Sequence, residues 1–491
     1  MLASLSIALA LLSQAGPARA DEAVEHGVTL FRAHEPAQAS IELHELADDP
    51  ALGPDDRSRA RYYLARSLHE LGLIQAAELE LLRLMEQGPG DPYFQHALPG
   101  LLAIAHRNGD PAALLTVVDR VAPATQPPLV QASLHYLQGL GAWQREEFSR
   151  ADDLLGAVPS DSDLYPRARY LQGLALLEHR KEKSALAAFQ AVVEAPPHGD
   201  DRRERAQLAE LAALATLQVG RVYDELGDHD KAEHFYAQVE RGSAPWHDAL
   251  EAMARIDLIQ GEPGSALRRS QYSSWPALSE AAPRAAELLH AQALQALCRP
   301  SEARVVLRSF EDRALPLWTE LAQATAAHRD EQGAWQDPAD AWSGWFEARA
   351  QGSTFSTTVF GVLLEDRVLS EAARRLRRIE DEIELLTVQD PSWRRSMEAP
   401  LRLQLEHERA RRQDDAGRAL LEAMADVEAE LGVLLQLCEA QLGELAKGTS
   451  CPDSEGLRPT GDPDAWGSEE EEADPTEMSW PFTGEIWADE I

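Results

Sequence analysis

The chain is poor in aromatic residues, in cysteine and in positive charge, and each shortage excludes something. Phe, Trp and Tyr make up only 6% of 491 residues. Most of the 44% apolar content is Ala and Leu, which favour helix. Strand-forming runs of Val, Ile, Thr and aromatics are scarce. Cysteine occurs at Cys298, Cys438 and Cys451 alone, which is no disulfide framework, and no CxxC or paired Cys/His spacing suggests zinc. An oxidising compartment would permit a Cys438–Cys451 bridge. Cys298, on a predicted helix face, reads as a small buried apolar residue. Lys and Arg number 46 against 83 Asp and Glu, a net charge of -37. That balance argues against non-specific nucleic-acid binding, which needs a basic footprint, and against docking on anionic lipid. It fits solubility, or a partner with a basic face. Beyond the first twenty residues no apolar run of about 18 residues occurs, so no membrane span is expected.

Catalytic signatures are missing too. There is no P-loop, no HExxH and no G-x-S-x-G. Gly139-Leu140-Gly141 opens a GxGxxG, but Gln144 stands at its sixth position, inside a helical pattern. The fifteen histidines are scattered, and His229 and His234 do not share one helix face. The expectation is a non-enzymatic chain with no cofactor and no metal.

The first twenty residues read as an export leader. An apolar run from Leu2 to Leu12 ends at Ser13-Gln14, and Ala18-Arg19-Ala20 forms an A-x-A cleavage site before Asp21. No Lys or Arg precedes the run, and no cysteine near the site supports a lipid anchor. A periplasmic or secreted location follows as an expectation.

The strongest pattern present is a repeat. Between Thr216 and Pro245, the residues Gly220, Tyr223, Leu226, Gly227, Ala232 and Tyr236 take small, aromatic and apolar positions of a helix-turn-helix unit. Small residues at Gly220 and Ala232 let two antiparallel helices approach. Tyr223 and Tyr236 fill the space beside them, and Gly227 supplies a left-handed stop to the first helix. The register recurs in Gly173, Leu176, Ala185, Phe189 and Pro197, in Gly139, Ala142, Ala151, Leu155 and Val158, and in Ala65, Leu68, Leu71, Gly72, Ala77, Leu81 and Leu84. Second-helix alanines stand at Ala39, Ala77, Ala113, Ala151, Ala185, Ala232, Ala266 and Ala303. Their spacings run 38, 36, 38, 34, 47, 34 and 37, with an insertion near His198 to Arg203 in the long step. Over residues 21–310 this resembles the tetratricopeptide repeat (TPR) family, whose repeat is about 34 residues long. The pattern's early Trp is missing from every unit. The resemblance implies an α-solenoid whose concave face receives protein segments.

After Phe310 the period fades. Trp318, Trp335, Trp342, Trp345 and Phe346 mark an aromatic-rich region, 311–352, that reads as a cap over the open end or as an aromatic ligand cage. Residues 353–447 turn to heptad-like spacing. One seam is Val368, Ala372, Leu376, Ile379, Ile383 and Leu386. Asp390-Pro391 breaks it. A second helix is expected from near Pro400, with seam Leu420, Met424, Val427, Leu431, Leu434, Cys438, Leu442 and Leu445 and a solvated arm from Arg402 to Arg412. An antiparallel coiled-coil hairpin, an extension of the solenoid and an intermolecular coiled coil all fit.

Residues 448–478 read as a disordered acidic linker. From Pro452 to Ile491 thirteen acids face one Arg458. The segment 479–491 is then abruptly apolar. Trp480, Pro481, Phe482, Gly484, Glu485 and Trp487 form a candidate docking peptide, because bare tryptophans on an acidic tether are costly. Those residues, with Asp489-Glu490, are similar to endings of periplasmic repeat proteins in myxobacterial-type envelope and gliding machines. That resemblance implies a scaffold in a trans-envelope assembly. The sequence thus predicts an all-α protein: a TPR-like solenoid, a long helical hairpin and an acidic tail. The expected function is protein binding, through the concave face and through the Trp-Pro-Phe segment. Oligomerisation through the hairpin and polysaccharide binding at the tryptophan cluster are the alternatives.

Overall fold

A computed structural model describes residues 17–195, 202–273, 285–351, 359, 361–363 and 366–447. The leader-like run before Pro17 and the docking peptide from Trp480 to Trp487 lie outside these residues. Among the described residues the protein is all helical, apart from one isolated bridge between Arg329 and Trp335. Proline opens many of the helices, including those at Pro36, Pro54, Pro128, Pro300 and Pro391, where its fixed φ suits the first turn and its missing N–H costs nothing.

Eight helix pairs form the array. They are α1 Pro17–Arg32 with α2 Pro36–Ala47, α3 Pro54–Glu70 with α4 Ile74–Gln87, and α5 Phe94–Asn108 with the short α6 Ala112–Leu115. Next come α7 Pro128–Gln144 with α8 Phe148–Gly156, α9 Tyr165–Glu178 with α10 Glu182–Val193, and α11 Arg202–Glu225 with α12 His229–Tyr236. The last two are α13 Trp246–Gln260 with α14 Pro263–Ser273 and α15 Ala285–Ala296 with α16 Pro300–Ala327. The 47-residue step lengthens α11 to 24 residues.

One turn geometry recurs between the two helices of every pair. A residue in the left-handed region ends the first helix: His34, Gly72, Gly109, Glu146, Arg180, Gly227, Gly261 and Cys298. The next residue's N–H reaches back to a carbonyl of the last helical turn, as Leu73 does to Leu68 and Asp228 to Tyr223. Four residues after that comes the second-helix alanine. Ala39, Ala77, Ala151, Ala185, Ala232, Ala266 and Ala303 are all fully buried. Four of the eight left-handed positions are not glycine, so the hydrogen-bonded turn imposes the conformation even on His34, Glu146, Arg180 and Cys298. The third pair is the irregular one. Its α6 is four residues long, Ala113 is only half-buried, and two 3-10 turns follow. The Gln138 amide of α7 holds these turns, donating to the carbonyls of Val118 and Val121.

First helices of neighbouring pairs pack on one another, α1 on α3, α7 on α9, α9 on α11 and α13 on α15. No two second helices among the described residues meet to that extent. First helices therefore line the inner side of the curve.

Three helices follow the array: α17 Pro338–Gln351, α18 Arg367–Leu386 and α19 Pro391–Lys447. Three expectations change here. α16 runs on through Phe310 and Pro316 to Ala327, because Ala314, Leu317, Leu321 and Thr325 continue its buried stripe against α19. α19 starts at Pro391 and passes through Pro400, so Trp393 and Met397 belong to the long helix. The arm from Arg402 to Arg412 is only partly solvated. Leu405 is fully buried, and Glu408 and Arg412 are nearly so.

The hairpin of α18 and α19 does not stand free. Ile379, Ile383, Leu386, Trp393, Met397, Leu401 and Leu405 share one core with the first two helix pairs. Further along α19, Ala416 to Leu445 share another core with α15, α16 and α17. A single helix of 57 residues, roughly 85 Å long at 1.5 Å per residue, thus ties the first pairs of the array to the last. The seam that an intermolecular coiled coil would use, one of the three readings of this region, is consumed within the chain, since Leu431, Leu434, Cys438 and Leu445 face α16 and its neighbours. The Cys438 thiol donates to the Leu307 carbonyl, and burial pushes it up to about 11. Cys438 is core, and Cys451, the other half of the bridge an oxidising compartment would permit, lies outside the described residues.

Candidate protein-interaction surface

The repeat residues singled out in the sequence are brought together as packing pairs. A methyl group added at Gly139 would lie 2.6 Å from Leu155, one at Gly173 2.5 Å from the Phe189 ring, and one at Gly220 2.5 Å from the Tyr236 ring. In each case a small residue on the first helix receives a large one sixteen positions later. Ala151, Ala185 and Ala232 sit buried beside these contacts. Tyr223 stacks on Phe235 with centroids 5.5 Å apart. Gly72 and Gly227 hold left-handed turns. These residues build the solenoid, and none of them is a recognition residue.

The tryptophan region is also core. Trp342 and Trp345 are buried in the cluster that α17 forms with α16 and α19, and Trp318 and Trp335 pack at its margin. The two buried rings offer no open face to a sugar. Their place is between α16, α17 and α19.

The surface that sequence reasoning missed lies on the inner side of the first three pairs. On α3, Ala60, Leu64, Ala65 and Leu68 face the core. Arg59, Tyr62, Tyr63 and Arg66, spaced by three and four, therefore share the opposite face. Tyr62 and Tyr63 are half-buried and Arg66 is exposed. The rings form a continuous row. Phe31 of α1 meets Tyr63 at 5.6 Å, Tyr63 meets Tyr62 at 5.3 Å, and Tyr62 meets Tyr93 at 5.4 Å. His96 closes the row against Tyr93 at 5.6 Å. The Arg66 guanidinium lies 4.7 Å from the Phe31 ring centre and 6.0 Å from that of Tyr62. Arg59 and Arg32 both pair with Glu25, whereas among the described residues no carboxylate pairs with Arg66. Arg32, Arg59 and Arg66 stand beside the row with two carboxylates, Glu25 on Arg32 and Arg59, and Asp91, which accepts from the Tyr93 N–H and the Ser58 hydroxyl. Burial pushes the Tyr93 hydroxyl above its ordinary range, with Arg59 opposing the shift. Tyr93 therefore stays uncharged near neutral pH. The row offers aromatic faces and cation.

A second, polar constellation sits where the hairpin docks. Helix α4 has no side-chain cap of its own at Leu73. The Glu382 carboxylate caps it instead, accepting from the Gln75 N–H at 2.7 Å and the Ala76 N–H at 2.8 Å. Burial is the larger influence and pushes Glu382 up to about 7, while the two amides pull the other way. Arg412 of α19 donates to Gln75 at 3.1 Å and pairs with Glu78 at 3.3 Å and Glu408 at 2.9 Å. Asp110, in the turn after α5, receives Arg375 at 2.9 Å and Arg378 at 2.5 Å. The Trp393 indole donates to Ser40 at 2.8 Å. These groups pair with one another, and the Arg378 Nε alone among them is buried without a hydrogen-bond partner. They act as a latch.

No protein-family model matches the chain, and no curated protein matches it. Among solved structures it is similar to the apo form of RapI, at 12% identity over 68% of this chain and 92% of that one, with a TM-score of 0.34. It is also similar to the TPR domain of P58(IPK), at 16% identity over 60% of this chain and 93% of that one, with a TM-score of 0.22. No described helix is long and apolar enough to cross a membrane.

Proposed function

We propose that the chain is a non-enzymatic scaffold that holds a segment of another protein against the inner face of its repeat array. The observation that carries this reading is the aromatic row from Phe31 to His96 with Arg66 stacked above it. The half-buried rings of Tyr62, Tyr63 and Tyr93, beside a cation without a carboxylate partner, are what a protein interface uses as an anchor, and Phe31 fixes them to the core. The fixed ends of the array support the reading, because a preorganised face loses little freedom on binding. The leader-like run from Leu2 to Leu12 favours work in the periplasm or cell envelope, and the likeness of the Trp-Pro-Phe segment to envelope-machine proteins favours a place in a trans-envelope assembly.

Site-directed photocrosslinking tests the reading. A photoreactive residue at Tyr62 should trap protein partners in the native envelope, and one at the exposed Val388, on the hairpin turn, should not. Equal adducts at both positions, or none at Tyr62, would sink it.

A further inference from the structure

The polar groups of the aromatic row are unequally engaged. Its carboxylates are occupied: Glu25 holds Arg32 and Arg59, and Asp91 accepts from the Ser58 hydroxyl and, at 2.7 Å, from the Tyr93 N–H. Its donors are not. Among the described residues nothing accepts from the hydroxyls of Tyr62, Tyr63 or Tyr93, none of these hydroxyls is sealed from water, and no carboxylate pairs with Arg66. A phenol can accept as well as donate, but a guanidinium only donates. The row thus presents ring faces beside O–H and N–H groups that still have hydrogen bonds to give. Its occupant must bring acceptors and few donors of its own.

Backbone chemistry separates the candidates. A helical segment has used its main-chain carbonyls internally and offers side chains alone. A β-strand brings an N–H with every carbonyl and pairs with a sheet edge, and the described residues form no strand. A proline-rich segment brings carbonyls without an internal partner, few N–H groups and flat apolar rings. It is already extended as polyproline II before it binds, and such segments dock on aromatic-lined grooves. Length agrees as well. The rings from Phe31 to His96 stand in steps of 5.3 to 5.6 Å, and about seven residues of polyproline II, at about 3.1 Å each, reach as far as the whole row.

On the proposed scaffold reading, we infer that the inner aromatic row binds a proline-rich segment of its partner in the polyproline II conformation. The prolines lie against Tyr62, Tyr63 and Tyr93, whose hydroxyls donate to main-chain carbonyls of the segment. Arg66, exposed and stacked on Phe31, holds a further carbonyl or an acid of the segment.

Calorimetric titration of the full-length protein is the experiment. The probes are a polyproline peptide, an alanine-rich helical peptide and a Gly-Ser peptide, each about ten residues long. The polyproline peptide should bind saturably and about tenfold or more tightly than the other two, because it is preorganised. Y62F/Y63F/Y93F keeps every ring and removes three donors, and should weaken that binding by about tenfold or more. R66A changes an exposed site that leaves the fold intact, and should weaken it by about fivefold. Polyproline binding no tighter than that of the helical peptide overturns the inference. So does an affinity that neither variant lowers. If the inference fails while a photoreactive residue at position 62 still traps a partner, the scaffold reading stands. If that position traps nothing, both fall.

Discussion

The repeat array and the hairpin are built from similar residues, yet they are held by opposite means. In the array each contact is local. Gly173 meets Phe189 and Gly220 meets Tyr236 at a constant separation of sixteen residues, and each turn closes on its own last helical carbonyls. The hairpin is held by partners hundreds of residues away: Glu382 by the amides of Gln75 and Ala76, Trp393 by Ser40, Arg412 by Glu78. Local packing can be repeated and varied unit by unit, so four turns tolerate a non-glycine. A single latch cannot be averaged in this way. The comparison teaches that the array supplies the shape and the latch holds its two ends in place.

Removing the Arg412 side chain should produce the largest effect. Arg412→Ala leaves Glu78 buried without its ion-pair partner and takes one of its two arginines from Glu408, and loss of one partner from a buried set costs about 3 kcal/mol or more. Urea unfolding with limited proteolysis should show α18 and α19 released before the array. A single unchanged transition would show that the latch and the array are not separable.

Gly417→Ala comes next, at about 2 to 3 kcal/mol. The added methyl would overlap the Pro338 carbonyl at 1.8 Å, backbone against backbone, which neither helix can relieve by a rotamer change. Gly173→Ala meets only a side chain and should cost less, about 1 to 2 kcal/mol. Thermal unfolding of the two variants ranks them; the reverse order would break the distinction between hairpin and array.

A smaller, pH-dependent effect is expected from Glu382. Its ordinary value of 4.5 is pushed up to about 7 in the docked hairpin, so docking favours the proton. That contribution is fully present below about 4.5 and is lost as pH rises through about 7. The groups facing Glu382 from α4 and α19 include Glu78, which adds to the rise, and Arg412, which stabilises Glu78. The urea midpoint should therefore fall between pH 5.5 and 8 more steeply in the native chain than in Glu382→Gln. Identical slopes would remove Glu382 from the latch's pH response.

The smallest effect belongs to the turns. His34→Gly, Glu146→Gly and Arg180→Gly relieve a left-handed side-chain conformation and should each stabilise by up to about 1 kcal/mol. Melting-temperature shifts that are absent or negative in all three would show that the side chains contribute contacts that outweigh the relief.

The helical pairs were readable because their rule is short-range. Ala151, Ala185 and Ala232 marked second helices by spacing alone, and the structure keeps that register from Ala39 to Ala303. Ala113 misled, since the irregular third pair depends on Gln138 reaching back to two turns, which no periodicity announces. The aromatic row was legible only in part. Tyr62, Tyr63 and Arg66 show helical spacing, but Phe31 and His96 join them from other helices and Tyr93 from the turn before α5. The burial of Arg412 was hidden, because an arm rich in Arg and Glu looks solvated until its partners arrive from elsewhere.

By itself, then, the sequence determined the helical class, the register of seven of the eight second-helix alanines and the positions of small and large residues. Each follows from forces that act within one or two turns of chain. Only the tertiary structure decided that one 57-residue helix joins both ends of the array, that its apolar seam faces inward and that six side chains from three helices and a turn make one surface. Those features depend on which distant segments exclude water together, and an apolar or charged stripe does not carry the address of its partner.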